Sequence, residues 1–344
     1  GVSSTSAEFV VFLPETDSDS DGLTNLEEYL GKDGIPPGQP ADSGDQTDPT
    51  ERDSDGDSLW DGWEVKGIDD GEFSFDLAAA GADPLHKDLF VEIDYLEGGD
   101  ESFRPAAATL DRVVDAFAAA PVSNPDGEDG IRLHYVIDDA IPRTPGREFL
   151  STIDGEYKDL KDEFFPDDAR RSIFRWALFG NKHSGGKPTV SGRAEGIPSG
   201  GFLVTLGGWS DSQAVAGTFM HELGHTIGLR HGGTDNRNYK PNYVSIMNYF
   251  FQFEGLIRDE TAGVLDFSRR DLPDLAEDSL DEETGIGDAE HRTRIRRPDG
   301  VRLWIETEPP GVDWDRDGGV ESGILAQDLD GDRNSTDTFD GHDD

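Results

Sequence analysis

The chain has 344 residues and a formal charge of −44, with 74 Asp and Glu against 30 Lys and Arg. That balance excludes nucleic acid as the default partner, because phosphate binding needs clustered Lys and Arg. There is no cysteine, hence no disulfide framework, no thiol nucleophile and no Cys-ligated metal. A hydrophobic fraction of 34% is enough for a core, and no stretch nears the roughly 18 apolar residues that span a bilayer, so no membrane span is expected. Gly1-Val2-Ser3-Ser4 carries neither a start Met nor an apolar signal core, so we expect a processed terminus from which any targeting peptide is gone.

The acidity is uneven. Residues 85–275 carry 31 acids and 20 bases, whereas the flanks 1–84 and 276–344 carry 43 acids and 10 bases. Asp concentrated in patterns points to ligands for hard cations. The 22 Arg against 8 Lys, with the net charge, add the expectation of a saline setting, where screening over ~3 Å removes self-repulsion.

Phe9-Val10-Val11-Phe12-Leu13 reads as a short strand ending at Pro14. Residues 17–84, rich in Asp, Gly and Pro, cannot build an ordinary core. Within them, residues 17–28 match the twelve-residue calcium loop, with Asp17, Asp19, Asp21, Asn25 and Glu28 as side-chain ligands, Leu23 offering its carbonyl, and Gly22 at the sharp turn. Residues 53–64 repeat the pattern with Asp53, Asp55, Asp57, Leu59, Asp61 and Glu64, though Ser58 stands in for the Gly. With Thr47-Asp48-Pro49-Thr50, this region resembles the thrombospondin type 3 repeats of secreted proteins, which implies structural calcium. Loops without a core fold only when ion binding offsets chain entropy and carboxylate repulsion.

From residue 88 the composition becomes that of a globular domain. Residues 88–96 alternate like a strand, 106–120 read as an amphipathic helix stopped by Pro121, and 131–138 form a second strand. A mixed, helical stretch runs through Phe165, and strands follow at 172–179 and 202–206. Interleaved strands and helices give an α+β or α/β domain. Ser210 with Gln213 marks the start of a further helix, in which Val215, Phe219, Leu223 and Ile227 form one apolar stripe. His221 and His225 then fall on the opposite face.

The run His221-Glu222-Leu223-Gly224-His225-Thr226-Ile227-Gly228-Leu229-Arg230-His231 carries the chemistry. His221 and His225, one turn apart, can hold the same ion, and Gly228 suits a left-handed helix end that brings His231 back as third ligand. Three neutral nitrogens leave a place for water on Zn2+, and Glu222 is the natural base for that water. Glu254 as a distant third ligand is the weaker alternative.

With Ser245-Ile246-Met247-Asn248-Tyr249 downstream, this signature resembles the metzincin clan of zinc metallopeptidases. The resemblance implies a twisted mixed sheet with helices around a zinc cleft, Met247 as a hydrophobic floor beneath the metal, and Tyr249 as a stabiliser of the oxyanion. It also implies an extended peptide substrate pairing with an edge strand within 190–197. Gly232 and Asn248 depart from the patterns of the known families, so only the clan is assigned. In the tail, Asp313, Asp315 and Asp317 begin a third calcium-type loop, and Asp328, Asp330 and Asp332 a fourth; Ile324 stands where the third needs a carboxylate. These either bind calcium with ligands from elsewhere or form an acidic tail.

The expectation is therefore an α+β protein in three regions: a calcium-binding region 1–84, a zinc metallopeptidase domain 85–275 and a C-terminal extension 276–344. It would be a secreted endopeptidase using Zn2+ and Ca2+ on protein or peptide substrates. The rival is a calcium-dependent surface or adhesion module with an inactive protease-like domain. A third possibility has the Asp-rich N-terminal region inhibiting the enzyme by placing a carboxylate on the zinc.

Overall fold

The structure, a computed structural model, describes residues 13–143, 149–150, 155–166, 169–183, 190–207, 211–288, 290–295, 305–306 and 311–344. The strand expected at 9–13 and the helix start expected at Ser210 lie outside them. Two compact units are present, one made of residues 13–89, 122–134 and 169–173, the other of 90–121, 135–166 and 174–344. Residues 276–344 thus belong to the same unit as most of the sheet. No helix among the described residues is long and apolar enough to cross a membrane.

The first unit is built largely on loops, with α1 (Asn25–Leu30) and α2 (Asp61–Lys66), two single helical turns at Leu77–Ala80 and Arg170–Ile173, and a two-stranded hairpin at 68–75. Thr24 and Glu27 form a reciprocal capping box at the start of α1, satisfying backbone donors that a six-residue helix could not otherwise meet. Its core is modest: Leu23, Leu59, Leu77, Ala82, Leu85, Leu133 and Ile173 are buried, and Trp60 stacks on Trp63 at 4.3 Å between ring centroids. The two loop–helix segments lie against each other. Gly62 N–H donates to Asp21 Oδ2 at 2.8 Å, and a Cβ at Gly62 would come 2.2 Å from the Asp21 carbonyl oxygen.

The second unit holds most of a mixed six-stranded sheet. Its strands are β1 (Asp88–Gly98), β2 (Glu101–Ser102), β3 (Arg132–Pro142), β4 (Phe174–Phe179), β5 (Gly192–Ala194) and β6 (Gly201–Val204). The order is β2-β1-β4-β6-β5, with β3 also paired to β1. β1, β4 and β6 run parallel, and β5 runs antiparallel to β6 at the end of the path. Two helices, α3 (Ala107–Ala118) and α4 (Gly155–Phe164), lie in the long connection from β1 to its parallel neighbour β4, whereas the connection from β4 to β6 carries β5. The expected strand at 172–179 begins two residues later, because Arg170–Ile173 forms a helical turn.

Thr109, Leu110, Val113 and Phe117 of α3 are buried at helical spacing, as the sequence pattern requires. Trp176 is fully buried, stacks with Phe165, and donates its indole N–H to Asp94 at 2.7 Å.

The last helix, α5 (Ser212–Thr226), is capped by Asp211, whose side chain accepts from Gln213 N–H. This corrects the single-stripe expectation. Residues 216–226 are all buried, because α3, β5 and β6 pack around the helix, while Ile227 at its end is exposed. Such encirclement leaves no room for growth. A Cβ at Gly217 would sit 1.8 Å from the Gln252 carbonyl oxygen, so Gly217→Ala should cost about 1–3 kcal/mol of stability, measured by denaturant unfolding.

Candidate metal centres

α5 delivers His221 and His225 one turn apart, and both are buried. His221 Nδ1 lies 3.0 Å from the Ile246 carbonyl oxygen and His225 Nδ1 lies 2.8 Å from that of Leu229. A carbonyl only accepts, so in each neutral ring Nδ1 carries the proton and Nε2 is left with its lone pair. Gly228 takes φ +110°, the left-handed turn expected at this helix end, and His231 returns to the cluster. One nitrogen from each of the three rings falls within 4.8 Å of the others, and the Nε2 atoms of His225 and His231 are 3.1 Å apart.

Burial, and then the neighbouring imidazoles, hold His221 well below the ordinary histidine range and bring His231 down to about 4. Burial also lowers His225. Three neutral rings with converging nitrogens form a group that could hold a metal ion.

Asn238 supports His231, with its amide 3.0 Å from Nδ1. In the metal-free network this amide nitrogen donates to Nδ1, and His231 Nε2–H donates to His225. The amide oxygen of Asn238 accepts from Tyr249 N–H at 3.4 Å, so this side chain ties His231 to the 239–250 segment.

Glu222 is 4% exposed. Burial pushes its carboxyl up to about 8, against the pull of a hydrogen bond from the Ala194 backbone and of Arg193. Both of those residues belong to β5, and Gly192 on the same strand admits Glu222, since a Cβ there would lie 2.7 Å from the Glu222 Cγ. Tyr249 stands on the other side, its ring 4.5 Å from His231 and 5.5 Å from His221. Burial and then the Glu222 charge push its phenol up to about 12. A cleft of about 260 Å³ opens here, lined by Ser191, Gly192, Glu222, Tyr249, Phe250 and Phe253 among others.

Met247 is fully buried and packs against Gly224 of α5: a Cβ at 224 would stand 2.5 Å from the Met247 Sδ. Asn248 is wholly buried, donating to the Lys240 and Tyr243 carbonyls and accepting from Tyr239 and Phe250 N–H, which welds the 239–250 segment into one shape. The Asp344 carboxylate accepts from Ser245 Oγ at 2.5 Å, from Tyr243 and from Ser268 N–H. Lys240, with no exposed surface, reaches Asp340 at 2.6 Å and Asp235 at 3.0 Å. Sequence spacing gave no sign of Asn238, a residue type common on any surface, or of Asp344, which acts about a hundred residues from its partners. Glu254 is mostly exposed and paired with Arg294 at 3.1 Å.

The acidic loops share one conformation. In each, the N–H five residues on donates to the first Asp: Gly22 to Asp17, Ser58 to Asp53, Gly318 to Asp313 and Arg333 to Asp328. Positions four and six are left-handed in all four, so Ser58 adopts φ +79° where Gly was expected, at a cost of about 1–2 kcal/mol.

The loops differ in how they end. Glu28 and Glu64 are 1% and 0% exposed, and neither carboxylate oxygen of either has a hydrogen-bond partner. Asp19, Asn25 and Asp55 each keep one such orphaned oxygen. Buried anions without donors call for a cation. Carboxylate oxygens of Asp17, Asp19 and Asp21 gather within 4.8 Å of one another, as do those of Asp53, Asp55 and Asp57. Asp61 instead accepts from the N–H and Oγ of Ser54. Leu23 and Leu59 bury their side chains in the loop core.

In the tail, buried Glu282 accepts from Trp314 and Asp315 N–H, and buried Glu277 from Leu329 N–H. Each thus joins a loop that lacks a carboxylate at position twelve. Asp330 is drawn to Arg237 at 3.2 Å, while Asp315 and Asp332 accept backbone N–H bonds within their own loops. Ile324 is exposed.

No family model matches this chain, and no curated protein matches it.

Two outcomes follow from this geometry. Burial, with repulsion from neighbouring Asp residues, raises Glu28 from 4.5 and Asp55 from 3.8, each to about 8. A folded-state value above the unfolded one means the metal-free fold holds extra protons, so its stability should fall as pH rises from about 4 to about 8. Thermal unfolding of chelated protein across that range should show the decline, and added calcium should flatten it. Asn238→Leu should weaken metal binding at the histidines about 10- to 100-fold in a competition titration, leaving the secondary structure intact.

Proposed function

We propose that the protein is a secreted zinc-dependent endopeptidase of metzincin type, cleaving extended protein or peptide substrates, with calcium stabilising its N-terminal acidic loops. The observation that carries this reading is the convergence of His221, His225 and His231 beside Tyr249, which together with Glu222 and with Gly192 of β5 lines a cleft. The donor set suits zinc, since three neutral imidazoles satisfy it while leaving a coordination place open. The N-terminal loops offer oxygen alone, including carboxylates with no other partner, and that suits calcium.

Bound zinc would supply Lewis acidity, polarising the scissile carbonyl and acidifying a water near neutral pH. Glu222 takes a proton from the attacking water and returns it to the leaving amine. A carboxyl raised by burial ionises near neutrality when a positive charge stands beside it, and the imidazole cluster is where that charge belongs. Tyr249 keeps its phenolic proton at neutral pH and can donate it to the developing oxyanion. As the end strand of its sheet, β5 offers backbone groups to an added peptide strand, which binds main chain without choosing side chains. Met247 and Gly224 keep the floor of the site dry and close-packed.

Glu222→Ala should lower casein hydrolysis by about 10²- to 10⁴-fold while zinc content stays the same. Undiminished hydrolysis would remove Glu222 from the mechanism, and a purified chain free of zinc and without hydrolytic activity would overturn the reading as a whole.

A further inference from the structure

The two N-terminal loops are alike in sequence but not in how the ninth position is used. In the first loop, Asn25 donates its amide nitrogen to the Leu13 carbonyl and Thr16 Oγ1. Its Oδ1 is thereby left buried and without a partner, available as a ligand. In the second, Asp61 turns both oxygens to Ser54, at 2.9 and 2.7 Å. The second loop therefore ends with a buried, unpartnered Glu64 and a ninth position spent elsewhere. Asp88, the first residue of β1, stands in the gap. It is 3% exposed, its N–H donates to Asp57 Oδ2 at 2.6 Å, and one of its carboxylate oxygens lies within 4.8 Å of oxygens of Asp57 and Glu64.

We propose that Asp88, from outside the second loop, is a ligand of the divalent cation held by Asp57 and Glu64. This rests on the calcium reading of the loop and adds a ligand that the twelve-residue pattern does not contain. The Asp88 carboxylate is fixed from behind by Asp83 N–H at 2.8 Å and by His134 Nε2, the arrangement that orients a ligating carboxylate. Charge supports the same assignment. Two carboxylate triads, Asp53-Asp55-Asp57 and Asp57-Glu64-Asp88, share Asp57, with Lys87 contacting the Asp55 backbone nearby. The repulsion felt by Glu64 from Asp88 exceeds that from Asp61, so Asp88 is the more closely coupled of the two. A hard divalent cation with six to eight oxygen ligands neutralises such a set, where a single ammonium does not.

The test uses the full chain and terbium luminescence, sensitised by Trp60 and Trp63 beside the second loop, with calcium as competitor. Glu64→Gln and Glu28→Gln identify which phase of the titration belongs to each loop. Asp88→Asn should weaken the Glu64-dependent phase by about tenfold or more and leave the Glu28-dependent phase unchanged. His134→Gln, which removes the supporting ring but keeps the Asp88 carboxylate, should weaken the same phase less than Asp88→Asn does. An unchanged Glu64-dependent phase in Asp88→Asn would overturn the proposal while leaving the calcium reading intact. So would a greater loss in His134→Gln than in Asp88→Asn, which would make Asp88 a structural residue. If the native chain shows no phase sensitive to Glu64→Gln, the calcium reading of the second loop fails and the proposal with it.

Discussion

Two backbone carbonyls, those of Ile246 and Leu229, decide what the last helix of this protein can do. By taking the Nδ1 protons of His221 and His225, they fix both tautomers and turn two lone pairs toward the same point. Had the rings been free to choose, burial beside one another would favour a hydrogen-bonded pair over convergence. The rest of the second unit can be understood as support for those acceptors. Ile246 is placed by the turn that Asn248 holds from four sides, and Leu229 by the left-handed step at Gly228. The direction of the ring nitrogens is thus set by main-chain geometry.

The acidic loops reach a similar end by a different route. There the donors are carboxylates that the fold buries without giving them partners, a state costly in the absence of a cation. The first unit has only a modest core to offset that cost, so its folding and its ion binding are one process. Buried, unpartnered carboxylates in the first unit and fixed tautomers in the second are two forms of preorganisation, one of oxygen and one of nitrogen lone pairs.

Local patterns were legible and distant ones were not. The eleven-residue histidine run, the position of Met247 and the twelve-residue loops could be read from the chain, because spacing along a helix or turn fixes which atoms face one point. Most strands were also legible from alternation, and the helix at 107–118 from its apolar period. The picture of α5 with one apolar face was wrong, since a helix wrapped by a sheet, another helix and a buried turn has no outer side. Asp211 caps it, one residue beyond the Ser that spacing favoured. The role of Gly192 became visible only once β5 was seen against Glu222. Asn238 and Asp88 were invisible for the same reason: each serves a site from a neighbouring stretch of chain, with a residue type common on any surface.

The contacts of Asp344 carry a kinetic consequence. Ser245 and Tyr243 find their carboxylate partner about a hundred residues further along the chain, and Lys240 pairs with Asp340 over a similar distance. During vectorial synthesis the histidine helix leaves the ribosome long before these acids do, so the turn beside it is held at first by Asn248 and gains its acid anchors later. Each N-terminal loop closes on itself over five residues, and the bonds joining Gly62 to Asp21 and Asp88 to Asp57 span 41 and 31 residues. The N-terminal loops can therefore close well before the acid anchors of the histidine turn arrive.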